Sequence, residues 1–180
     1  DDKIIINALN KIIFKDFKLE QLLSKLRKKI CDQIINNSEK ISHSQLEFTI
    51  ALAKQCFLNE YVYSFSKEEI LSTHSIINQC KGLELSEEKI SIISCYFPLY
   101  KLLDQIPKLK SSNSSNNNFI ELIKLQITEP LKEIELSKSI KKLGQINNNI
   151  SKQVKSQYED NPYPRWMFGN YVKNQKISIE

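Results

Sequence analysis

The chain has 180 residues, enough for one domain with a small appendage and too few for several. Only three glycines and five prolines punctuate a composition rich in Leu, Ile, Lys, Glu, Ser and Asn, which argues against a turn-rich β architecture and favours helices. The net charge is +5, but the lysines are scattered between apolar positions as on solvated helix faces; Lys25 to Lys29 come nearest to the concentrated stripe that nucleic-acid binding needs, so that partner is not expected.

Cys31, Cys56, Cys80 and Cys95 form no C-x-x-C pair, so neither a zinc knuckle nor a redox motif is supported. Each lies in an apolar helical pattern, where a free thiol behaves as a small buried hydrophobe. No signal peptide is present, and no apolar run approaches the roughly 20 residues that span a bilayer. A cytoplasmic protein with no membrane partner is expected. The first residue is Asp rather than Met, and a piece of a longer protein is the expectation.

In chain order, Lys3 to Phe14 carries Ile5, Leu9, Ile12 and Ile13 at helical spacing. Leu19 to Ile35 repeats the pattern, with Leu22, Leu23, Leu26, Ile30 and Ile34 as its apolar stripe. Together they predict a helical hairpin over 1–37, consistent with the end of an upstream repeat region, although no 34-residue tetratricopeptide period occurs. Ser44-Gln45-Leu46-Glu47 has the spacing of a capping box, opening a helix to about Tyr61 that is apolar nearly all round and so central. At its end stand Asn59 and Glu60, beside Tyr61 and Tyr63. A polar pair there must find partners, either neighbouring backbone and tyrosine hydroxyls or a segment docked from elsewhere.

Ser66-Lys67-Glu68-Glu69 is a second capping box, with Gly82 ending its helix. Ser86-Glu87-Glu88 starts another, and Pro98 suits the first turn of a short helix over Leu99 to Gln105. The run 111–118 (S-S-N-S-S-N-N-N) predicts a flexible loop. A helix resumes near Asn118, and Pro130 is expected to break or kink it. His43 and His74 stand alone, so no metal ligand is expected. The whole reads as all-α, an irregular bundle of about seven to nine helices over 1–146.

Residues 147–180 differ. A short helix with Ile150, Val154 and Tyr158 every four residues leads into Tyr158 to Trp166, Y-E-D-N-P-Y-P-R-W. Two prolines fix φ and push their predecessors towards extended conformation, giving a stiff aromatic arm. Arg165 is one of only two arginines, so its planar, stacking guanidinium is expected to matter where a lysine would not serve. Taken on composition alone, such an arm either folds back with Trp166 as an apolar anchor or docks on a neighbouring domain.

Ser151 to Trp166 (S-K-Q-V-K-S-Q-Y-E-D-N-P-Y-P-R-W) resembles the segment before the catalytic core of bacterial class I S-adenosylmethionine-dependent methyltransferases, which often carry tetratricopeptide repeats upstream. Ala51 to Tyr63 and Ile127 to Leu136 resemble the same family, in its order, so that the likeness covers most of 45–168. The resemblance implies a helical N-terminal portion that scaffolds a catalytic domain beginning shortly after Glu180 and helps to select the substrate. Its partners would be that domain and, further, a protein substrate. In that reading Tyr163 and Trp166 supply stacking surface, Arg165 a stacked cation or carboxylate contact, and Tyr158 and Asn161 orient the arm, with Asn59 and Glu60 as its contact on the bundle. S-adenosylmethionine is implied for the longer protein only. This chain has no G-x-G turn after a strand, no P-loop and no catalytic triad, so no catalytic or cofactor-binding residue is expected in it. The alternative is a helical protein–protein interaction module without an enzymatic role.

Overall fold

The structure, a computed structural model, describes residues 2–36, 40–82, 85–141 and 148–160. No strand occurs among them, so the fold is all-α, as the scarcity of glycine and the helical periodicity predict. In chain order come α1 (Asp2–Leu9), α2 (Phe17–Asn36), α3 (His43–Leu58), α4 (Lys67–Gly82) and α5 (Glu87–Ser94). Two 3-10 turns follow, Leu99–Leu102 and Pro107–Ser111, and then α6 (Asn117–Ile123), a π-helical turn (Lys124–Thr128), α7 (Glu129–Ser139) and α8 (Asn149–Asp160). Because α6, the π turn and α7 run on without interruption, the described residues form seven helical rods.

The frame is α3. Every residue from Thr49 to Leu58 is buried, because the helix is apolar nearly all round and its neighbours surround it. It packs against α5 and α1 above all, and also against α2, α6 and the π turn. Its start differs from the expected one. The capping box is Ser42 with Gln45: Ser42 Oγ accepts from Gln45 N at 3.2 Å and Gln45 Oε1 accepts from Ser42 N at 2.8 Å. That frees Glu47 for other partners, and it accepts from the side-chain amides of Asn116 and Asn118. The run 111–118, expected as a flexible loop, is thus tied to α3 by two of its asparagines, and Asn116 also caps α6.

The first two helices are corrected in length and facing. α1 ends at Leu9, not near Phe14, because Gln55 Nε2 donates to the carbonyls of Leu9 (3.2 Å) and Ile12 (2.5 Å) and gives the released chain an end to fold against. α2 starts earlier, at Phe17, where Asp16 Oδ1 accepts from Leu19 N. Its inward face is Leu23, Arg27, Ile30, Cys31 and Ile34, so Leu22, expected in the stripe, is half exposed. The rotation follows from Arg27, which takes an inward position that a sequence pattern assigns to solvent.

The caps and the cysteines agree with expectation, and the two prolines do not. Ser66 and Glu69 close a capping box on α4, and Ser86 caps α5 through Lys89 N. All four cysteines are free and buried. Pro98 precedes a tight 3-10 turn rather than a helix reaching Gln105. Pro130 neither breaks nor ends its helix. It lacks an N–H and would clash with a carbonyl four residues back; the wider π turn just before it, closed by Glu129 N to Lys124 O, makes the room.

Candidate functional site

The most elaborate chemistry in the described residues surrounds Arg27, the chain's other arginine, which is 2% exposed. Its Nη2 donates to the carbonyl of Ser64 at 2.6 Å and stands 3.4 Å from Glu69 Oε1. The guanidinium carbon lies 4.3 Å above the centre of the Tyr96 ring. Tyr96 in turn donates its hydroxyl to Glu69 Oε1 at 2.7 Å, while Glu69 Oε2 accepts from Ser66 N at 2.8 Å. Glu69 therefore does two jobs. It caps α4, as the sequence pattern foretells, and it balances a cation that comes from α2.

A buried cation is costly unless paired and hydrogen-bonded. Burial works against the charge of Arg27, yet Cys56, Tyr96, Cys95 and Glu69 around it outweigh that penalty and raise its pKa. Burial raises the Tyr96 phenol far above its ordinary value, with Glu69 adding to the rise and Arg27 opposing it. Stacked, paired and closed off from solvent, this guanidinium is a clamp joining α2, the 62–66 connection, α4 and the turn after α5. It is not placed to meet a substrate.

Two cysteines complete the surroundings. Cys56 and Cys95 are both fully buried and lie against one another; Cys95 Sγ also approaches the carbonyls of Ser91 (3.4 Å) and Thr49 (3.6 Å). The pair shares polarity unequally. Contact with Cys95 lowers the pKa of Cys56, helped by Arg27, whereas burial raises that of Cys95.

A second knot is built on Gln126 in the π turn. Its Nε2 donates to the carbonyls of Ala53 and Ser94, each at 3.1 Å, and its Oε1 accepts from Leu99 N (3.3 Å) and Tyr61 Oη (3.4 Å). One fully buried amide with all four positions engaged ties α3, α5, the first 3-10 turn and the α6–α7 rod together.

Of the sequence-predicted site residues, the structure describes three. Asn59 and Glu60 lie at the corner after α3, where Glu60 and Tyr61 both have φ 58°, the left-handed region. Two successive non-glycine residues there cost about 1–2 kcal/mol each, held because Tyr61 N donates to Cys56 O at 2.8 Å and its ring packs edge-on against Phe57. Asn59 turns inward at this corner. It is 3% exposed and its backbone N–H reaches Gln55 O, while its side-chain amide meets the Tyr63 hydroxyl without forming a well-aligned hydrogen bond. The Tyr63 hydroxyl, also buried, lacks an aligned partner as well. Burial pushes that phenol up to about 12, and nearby Asn59 only moderates the rise.

Tyr158 lies at the far end of the chain on α8, 67% exposed, in line with Ile150 (70%) and Val154 (45%). Asn161, Tyr163, Arg165 and Trp166 fall outside the described residues, so the expected contact between arm and bundle lies outside them too. Sequence reasoning missed Arg27. The signal was there: an arginine in a lysine-rich chain is the argument made for Arg165, and it applies with equal force at residue 27.

The described residues do not fit S-adenosylmethionine. They offer neither a parallel strand nor a glycine-rich strand-to-helix turn, the parts from which a class I cofactor cradle is made. Among them no cluster of three or more His, Cys, Asp or Glu side chains is arranged to hold a metal ion, and no helix is long and apolar enough to cross a membrane. Comparison with known proteins finds no family model, no curated protein and no solved structure that matches the chain.

Proposed function

We propose that this chain is the helical N-terminal scaffold of an S-adenosylmethionine-dependent methyltransferase, with the cofactor and the reaction belonging to a catalytic domain beyond it. The observation that carries the reading is α8. Its Ile150, Val154 and Tyr158 recur every four residues and face solvent, and the helix leads straight into the Pro-aromatic arm that resembles the family. An apolar stripe at helical spacing is a surface that wants a neighbour. The bundle behind it is clamped by Arg27 and Gln126, which suits a rigid support for that neighbour.

Calorimetry tests the proposal. Residues 1–180 alone should give no binding heat with S-adenosylmethionine, while the natural chain carried past residue 180 should bind it saturably. Tight binding by residues 1–180, or an onward sequence lacking a strand and a glycine-rich turn, overturns the reading. The second outcome favours the other proposal, a helical protein–protein interaction module. Recovery of a protein partner that is indifferent to Trp166→Ala and Arg165→Ala would point the same way.

A further inference from the structure

A groove opens between α1, α2 and α3. Ile5, Leu26, Ile30 and Phe48 line it, and its volume is about 200 Å³. One wall is braced by Gln45 Nε2 donating to Gln33 Oε1 at 2.9 Å. Small-molecule pockets run to roughly 300–1,000 Å³, so this groove suits one or two inserted side chains better than a whole ligand. The apolar surface also continues outside it. Leu22, one turn before Leu26, is 49% exposed, and Ile4 beside Ile5 is 73% exposed.

The surroundings are basic. Lys25 and Lys29 stand on the same face of α2 as Leu22 and Leu26, and Lys29 lines the groove itself. Both are exposed, and no ion pair joins either to an acid among the described residues; the one α2 carboxylate in an ion pair, Asp32, is taken by Lys28 at 2.8 Å. Over residues 2–36 seven exposed lysines face only four acidic residues, a local basic excess.

We infer that the α1–α2–α3 groove receives an acidic amphipathic helix from a protein partner, its large apolar side chains seated over Ile5 and Leu26 and its carboxylates against Lys25 and Lys29. Helix-in-groove docking uses this division, with apolar anchors for affinity and charges for partner choice. A flat membrane surface would leave the concavity unfilled. The inference rests on α1–α3 and is independent of the methyltransferase reading, which rests on α8 and the arm.

The test is fluorescence anisotropy with two labelled synthetic helices of about three heptads, both with Leu at the a and d positions, one with Glu and the other with Lys on the remaining face. The expected result is saturable binding of the Glu helix, at least about tenfold tighter than the Lys helix. Ile5→Glu should weaken it about tenfold with the thermal melt unchanged; if that variant melts early, half-exposed Leu22→Glu takes its place. Lys25→Glu with Lys29→Glu should reverse the preference in favour of the Lys helix. Equal affinity for the two helices, no saturation, or a preference that survives the charge reversal overturns the inference. Co-sedimentation with phosphatidylserine-containing vesicles that Ile5→Glu abolishes, in the absence of helix binding, assigns the surface to lipid and overturns it as well.

Discussion

Arg27 and Asn59 are both buried polar residues in the same small bundle, yet they are treated in opposite ways. Arg27 has a carbonyl, a carboxylate and an aromatic face arranged about it. Asn59 and the Tyr63 hydroxyl beside it have only each other, with no well-aligned hydrogen bond between them. The first region converts an expensive group into a joint between distant segments. The second carries polar groups whose burial is a net cost to the fold. Stability measurements on single variants separate the two cases, because loss of a satisfied group leaves orphans behind and loss of an unsatisfied one does not.

The largest effect is expected at the clamp. Arg27→Met strands the Glu69 carboxylate in the interior, and removal of one partner from a buried pair costs about 3–5 kcal/mol. Adding Glu69→Gln should recover part of that loss, since a neutral amide can still cap Ser66 N with its oxygen while its N–H donates to the Tyr96 hydroxyl oxygen. Urea unfolding of the two singles and the double gives the coupling directly. If the double variant is no more stable than Arg27→Met, the charge balance argued for Glu69 is wrong.

Gln126→Leu comes next. It leaves the Ala53 carbonyl and Leu99 N–H without their side-chain partner, and at about 1–3 kcal/mol per orphaned group at least about 2 kcal/mol should be lost. A loss below one would mean that water or a relaxed backbone takes over those bonds.

Alkaline pH probes the other region. Tyr63 in the folded chain is pushed up to about 12 by burial, against roughly 10 for an unfolded tyrosine. Below pH 10 both states hold the proton and its contribution to stability is intact. As pH rises from there the unfolded chain ionises first, so stability falls by on the order of 2 kcal/mol before the folded phenol also titrates. Tyr63→Phe should flatten that part of the decline. Urea midpoints compared between pH 9 and 11.5 check it, and parallel slopes for the two proteins would count against a buried, protonated Tyr63.

Much of the fold was legible because its signals are local. The Ser66–Glu69 box lies within one turn of helix, and the all-round apolarity of α3 announces a central helix in ten consecutive residues. Partners that lie far apart in sequence were not legible. Nothing near Leu22 and Leu23 says which of them turns inward; that is decided by Arg27, whose partner Glu69 is 42 residues away. The end of α1 is set by Gln55, more than 40 residues on, and the π turn by a combination of Pro130 and the inward pull on Gln126. At the candidate site the sequence singled out Asn59 and Glu60 as residues needing an explanation, and the corner there is the one place among the described residues with two left-handed non-glycine residues. What it did not foresee is that Asn59 meets the Tyr63 hydroxyl without a well-aligned hydrogen bond.

The smallest effect is the most telling for the comparison. Asn59→Leu exchanges an amide without a well-aligned hydrogen bond for an apolar side chain of similar size, and only the Tyr63 hydroxyl loses a contact. Replacing an unsatisfied buried group by an apolar one of like shape is near neutral or stabilising, here by up to about 1 kcal/mol. Its sign is opposite to that expected for Arg27→Met, although Asn59 is nearly as deeply buried and closes the helix at the centre of the bundle. Should Asn59→Leu instead cost two or more, a figure reached when a real bond is cut, Asn59 must be paired in solution. The corner would then be a second clamp, and its left-handed residues would be held by that bond rather than by Tyr61 and its packing on Phe57.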